Sequence, residues 1–137
     1  MNLFRIIITF YLLYALTVTL HELFHYITGK IIGLKNLEIY IGESFFRINI
    51  KKVHFSPLIT NGYVEFDYIE CSKKKIIFFY LSGSLANLLL ILVGLLFKNN
   101  YGYILCFMNL FIILFNLIPI RGIKNDIAEL KQYINNM

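Results

Sequence analysis

Three long apolar runs dominate this chain, separated by two stretches of different rhythm. The first spans Leu3 to Thr28, and from Ile6 to Leu20 its only polar groups are Thr and Tyr hydroxyls. The second, Ile76 to Phe97, contains no charge; Gly83, Ser84, Ala86 and Gly94 give it small positions for close helix contact. The third, Tyr103 to Ile120, is also uncharged and ends at Pro119, which breaks or kinks a helix. A helix needs roughly 20 apolar residues to cross a bilayer. The pattern therefore predicts an α-helical integral membrane protein with a three-transmembrane-helix core at 3–28, 76–97 and 103–120. Asn87 and Asn109 fall inside spans, where the simplest role is an interhelical hydrogen bond.

Between the first two spans the period changes. Residues 34–71 carry β-branched and aromatic side chains in partial alternation, as in Phe45–Ile50 and Tyr63–Ile69. Asn61-Gly62 reads as a tight turn between two such runs, and Pro57 as an edge or bend. The expectation is a small membrane-associated antiparallel β-sheet between helices 1 and 2. Gly29 is the expected C-cap of the first helix. In the tail, 121–137, Ile123, Ile127, Leu130 and Ile134 recur at helical spacing, which predicts a short amphipathic helix on the membrane surface.

Composition agrees. The chain has 137 residues, enough for one domain, and is 58% hydrophobic but only 15% charged. Mean hydropathy is +0.69. No small-residue cleavage site follows the first run, so it reads as a span rather than a signal peptide. Cys71 and Cys106 lack metal-ligand spacing and read as free thiols. The net charge of +5 does not point to nucleic acid, because the basic residues flank the spans. Eleven of the 13 Lys and Arg lie in 29–75 and 121–137; only Arg5 and Lys98 lie on the other side. The positive-inside rule then gives a multi-pass cell-membrane protein with the N-terminus outside and the β region and C-terminus cytoplasmic. Lys73-Lys74-Lys75 faces the anionic headgroups in that topology.

The chemistry-bearing motif is His21-Glu22-Leu23-Phe24-His25, at the end of the first span. Residues four apart share a helix face, so His21 and His25 can offer nitrogens to one metal ion. Glu22 is placed to act as general base on a water. An ionisable group at membrane depth is costly and marks a functional site. A catalytic zinc takes three protein ligands. The remaining candidates are His54, in a strand-like run, and Asp126, just beyond the last span. His54 reads more simply as a sheet residue, and Asp126 equally well as an acid favoured at a helix start.

Several segments, in order, resemble the site-2 protease family of intramembrane zinc metalloproteases. Asn116-Leu117-Ile118-Pro119 followed by Asp126 is similar to that family's NxxP…D signature. Gly83-Ser84-Leu85-Ala86-Asn87 resembles its G-P-L-A-N segment, with Ser84 in place of Pro. Ser56 to Val64 resembles its P-x-G-G-Y-V β-loop, with an insertion. The resemblance covers nearly the whole chain, as a minimal catalytic core. It implies a Zn2+ cofactor held by His21, His25 and Asp126, with Glu22 as the base. It further implies that Asn116 binds substrate backbone or the oxyanion, and that Gly62 to Phe66 pairs with an unwound substrate.

The implied partners are the lipid bilayer, a membrane-spanning or membrane-associated peptide, and an accessory membrane protein that shields the cleft. The family's Asp is usually followed by Gly, whereas here Ile127 follows. If the backbone there needs φ > 0, Ile is strained. The alternative is then a catalytically inactive relative acting as a membrane binding, chaperone or peptide-export accessory protein. Metal transport fits poorly, because Glu22 is the only acid within a span.

Overall fold

The computed structural model describes residues 2–43, 46–67, 71–119 and 125–135. Three helices are long and apolar enough to cross a membrane: α1 (Leu3–Ile32), α2 (Lys73–Leu96) and α3 (Asn100–Leu117). A short fourth helix, α4 (Asp126–Asn135), follows. Four strands lie between α1 and α2: β1 (Glu38–Ile41), β2 (Ile48–Ile50), β3 (Val53–Phe55) and β4 (Gly62–Glu65).

α1 is 30 residues long, about 45 Å, and outruns the expected 3–28. Its C-cap is Gly33 at φ 85°, not Gly29. A left-handed cap suits Gly because no Cβ opposes it. Gly29 instead sits inside the helix, where an added Cβ would lie 2.8 Å from Leu37. It is small because the chain folds back over it. α2 is the most buried span and packs on both α1 and α3, leaving Leu88, Leu92 and Val93 exposed as a lipid-facing side. Thr17 of α1 and Asn109 of α3 are both fully buried and joined by a 3.2 Å hydrogen bond, the expected interhelical role.

The sheet order is β2-β3-β1-β4. It is mixed rather than purely antiparallel, since β1 pairs parallel with β3 and antiparallel with β4. Asn61-Gly62 is accordingly not a hairpin turn. β3 and β4 flank β1 on opposite sides, so residues 56–61 must cross over its end. α1 fixes that crossover: the Tyr14 hydroxyl donates to Thr60 O at 2.7 Å, and Tyr11 accepts from Ile59 N at 3.0 Å. The tight hairpin is β2–β3, turning at Lys51 with φ 54°. Ile39 and Ile41 bury one sheet face against Val18 of α1.

α4 packs Leu130 and Tyr133 onto Ile76, Phe79 and Tyr80 of α2. Its apolar stripe is therefore spent on the protein rather than on lipid. Ile120 and Ile123 lie outside the described residues.

Candidate active site

His21, Glu22 and His25 are buried on the side of α1 that faces α2 and β4. The Nε2 atoms of His21 and His25 are 3.1 Å apart. Asp126, the first residue of α4, places Oδ2 3.2 Å from His21 Nε2 and Oδ1 3.4 Å from His25 Nε2. Donors about 2.0–2.2 Å from a tetrahedral zinc stand roughly 3.3 Å from one another. These three side chains match that spacing, and they are the one such metal-competent group among the described residues.

The far side of each ring is also fixed. His25 Nδ1 donates to Phe79 O at 2.8 Å, beside the Ser82 hydroxyl, so its Nε2 is left as a lone pair. His21 Nδ1 lies 3.1 Å from the side-chain amide of fully buried Asn87. With the amide nitrogen toward the ring, Asn87 Oδ1 is buried and unpaired. With the amide turned over, Oδ1 accepts from Nδ1–H and His21 Nε2 is freed as a ligand. Only the turned amide leaves His21 Nε2 as a lone pair, so it is the arrangement that suits a metal.

Asn125 fixes Asp126. Its Oδ1 accepts from Ala128 N at 3.0 Å, capping α4, while Nδ2 donates to the carbonyls of Phe115 and Ile118 at the end of α3. One side chain thus ties two helix ends together next to Asp126. Ile127 is helical, and the only non-Gly residues with positive φ among those described are Asn36 and Lys51. No glycine is needed after Asp126, and the strain that would favour an inactive relative does not arise. Burial pushes the Asp126 carboxyl up, but where no metal is bound hydrogen bonds with His21 and His25 outweigh it and hold it at about 2; a bound metal would take their place.

These groups line a cavity of about 1050 Å³. Half-buried Asn116 lines it too, as do all four β4 residues. Gly62 is small because of Glu22: a Cβ there would lie 2.5 Å from Glu22 Cγ. Gly83 is small because of His21 and His25, since a Cβ would strike both Nε2 atoms. His54 is elsewhere, stacked on Tyr40 and bonded to Glu38 and Asn49.

The sequence matches the model of Peptidase family M50 over residues 9–101. The chain belongs to peptidase family M50. The match takes in His21–His25, the sheet and Gly83–Asn87, and ends before Asn116 and Asp126, so those two rest on geometry. M50 peptidases are membrane metallopeptidases that in general use zinc, in keeping with the apolar spans and the three-donor group. No individual curated protein matches the chain significantly.

For this M50 chain the structure adds what motif reading left out. Asn87 was legible as an interhelical amide and as the end of the G-P-L-A-N-like segment, and its partner turns out to be the His21 imidazole. Asn125 carried a signal, an N-cap residue before an amphipathic stretch. The Phe79 carbonyl had none, because a backbone atom leaves no trace in residue identity.

Proposed function

We propose that this chain is an intramembrane zinc metalloprotease that hydrolyses a peptide bond of a membrane-associated peptide or membrane-bound regulator near the cytoplasmic face. The observation that carries this is the convergence of His21, His25 and Asp126 with Glu22 in one cavity that is also lined by β4, the edge strand of the sheet among the described residues. A zinc ion held by the three ligands would polarise the scissile carbonyl and lower the pKa of its water toward about 7. Glu22 takes the proton of the attacking water and passes it to the leaving amine. Asn116, on the same cavity wall, donates its amide to the substrate backbone or to the developing oxyanion.

A substrate helix bonds its own amides, so it must unwind before cleavage. β4 is an edge strand, and an unwound segment can pair with it. The charge distribution supports placing the sheet and α4 in the cytoplasm with the N-terminus outside.

The test compares membrane and released peptides, by mass spectrometry, in cells carrying the wild type or Glu22→Gln. That change removes the base and spares the ligands. Peptides that depend on Glu22 support proteolysis and identify the substrate; identical profiles from folded, zinc-loaded proteins refute it.

A further inference from the structure

The polar face of the sheet carries a ladder of stacked rings. His54 stacks on Tyr40 at 4.3 Å and 12°, and Tyr40 on Tyr63 at 4.6 Å and 11°. Tyr63 is the last ring of the ladder, on the edge strand, and is 41% exposed. Side chains alternate along a strand. Gly62 and Val64 face Glu22 and Val18 of α1, while Tyr63 and Glu65 stand together on the opposite face.

A second, independent feature is charge. Of the eight Asp and Glu in this chain, five line the cavity: Glu22, Glu65, Asp67, Asp126 and Glu129. No Lys or Arg lines it among the described residues, although the net charge is +5. A low-dielectric cleft lined by one sign of charge concentrates ligands of the other sign.

We infer that β4 selects its substrate: the segment that adds to its free edge carries an aromatic side chain opposite Tyr63 and a Lys or Arg opposite Glu65. This rests on the reading that substrate pairs with β4. Residues directly opposite across a strand pair share a face, with Cβ atoms about 5 Å apart. A substrate ring opposite Tyr63 therefore extends the ladder by one member. The residue opposite Glu65 is two positions along on the same face, where a cation meets the carboxylate. Gly62 touches Glu22, so the aromatic position falls within two residues of the scissile bond. The substrate class is an extended segment with an aromatic and a basic residue two apart.

The test measures binding separately from hydrolysis. The zinc-loaded Glu22→Gln protein is placed in neutral phosphatidylcholine vesicles. It is titrated with short fluorescent peptides centred on Lys-Thr-Phe-Thr-Lys, which reads the same in either strand direction, on Lys-Thr-Ala-Thr-Lys and on Glu-Thr-Phe-Thr-Glu. The basic aromatic peptide is expected to bind roughly tenfold more tightly. Adding Tyr63→Ala should remove the preference for Phe over Ala at the centre, and Tyr63→Phe should keep it. Adding Glu65→Lys should reverse the charge preference. Equal affinities, or preferences unmoved by Tyr63→Ala and Glu65→Lys, overturn the inference. A preference that holds while the wild type fails to cleave any of the peptides supports this role for β4 and counts against hydrolysis instead.

Discussion

The Asn87 side chain stands 3.1 Å from His21 Nδ1, on the side of the ring remote from Asp126. Which way that amide points sets which ring nitrogen of His21 carries the proton. With Oδ1 inward, the ring keeps its proton on Nδ1 and presents a lone pair at Nε2. Asn87→Leu, which fills the space without an acceptor, should weaken zinc binding about 10–100-fold while leaving the fold intact. Competition with a chelator measures this. Undiminished affinity would mean that the amide does not orient His21.

Gly62 should be intolerant of a side chain for a local reason. A methyl at this position meets Glu22 Cγ at 2.5 Å and the Tyr40 carbonyl at 3.0 Å. Gly62→Ala therefore displaces the base but not the ligands. Zinc content should stay at the wild-type level while turnover falls on the order of 100-fold, the usual consequence of a misplacement near 1 Å. Loss of metal along with activity would show that the disturbance spreads to the histidines.

Asn125 separates the cap from the tie. Asn125→Ser keeps an oxygen to accept from Ala128 N but loses both bonds to the end of α3. Asn125→Ala loses all three. Removing the cap costs about 1 kcal/mol. Thermal unfolding in detergent should rank wild type above Asn125→Ser above Asn125→Ala. The increment that zinc adds should shrink in both variants, because Asp126 is no longer held. An unchanged increment would show that α4 positions Asp126 without Asn125.

The pH dependence of metal binding has a definite sign. Where no metal is bound, the folded-state pKa of Asp126 is depressed from 3.8 to about 2, so its hydrogen bonds with His21 and His25 stabilise that metal-free fold above the ordinary Asp range. That contribution is lost as pH falls through about 2. Above that range Asp126 has no proton to release, whereas each imidazole must be neutral to ligate. Zinc affinity should therefore fall with acid by at most two powers of ten per pH unit above the ordinary Asp range. A limiting slope of three would mean that Asp126 titrates with the histidines.

Much of the fold was legible because each piece was local. Charge-free runs give spans whatever surrounds them, since lipid leaves the backbone no partner but itself. His21 and His25 were readable as a pair because helix periodicity alone puts them on one face. The sheet was harder. Asn61-Gly62 has turn chemistry, yet β4 pairs with β1 rather than β3, and the Tyr11 and Tyr14 hydroxyls hold the crossover from a distant helix.

By itself the sequence determined a membrane-embedded bundle, the position of a strand-rich insert, and a pair of histidines on one helix face with Glu22 beside them. Resemblance nominated Asp126, but only tertiary structure brings it against His21 and His25, sets Asn87 and the Phe79 carbonyl behind their rings, and shows that Gly62 and Gly83 leave room for Glu22 and the two histidines. The physical reason is range. Helix periodicity and hydropathy act within a few residues, whereas His21 and Asp126 lie 105 positions apart and meet only once three helices have packed.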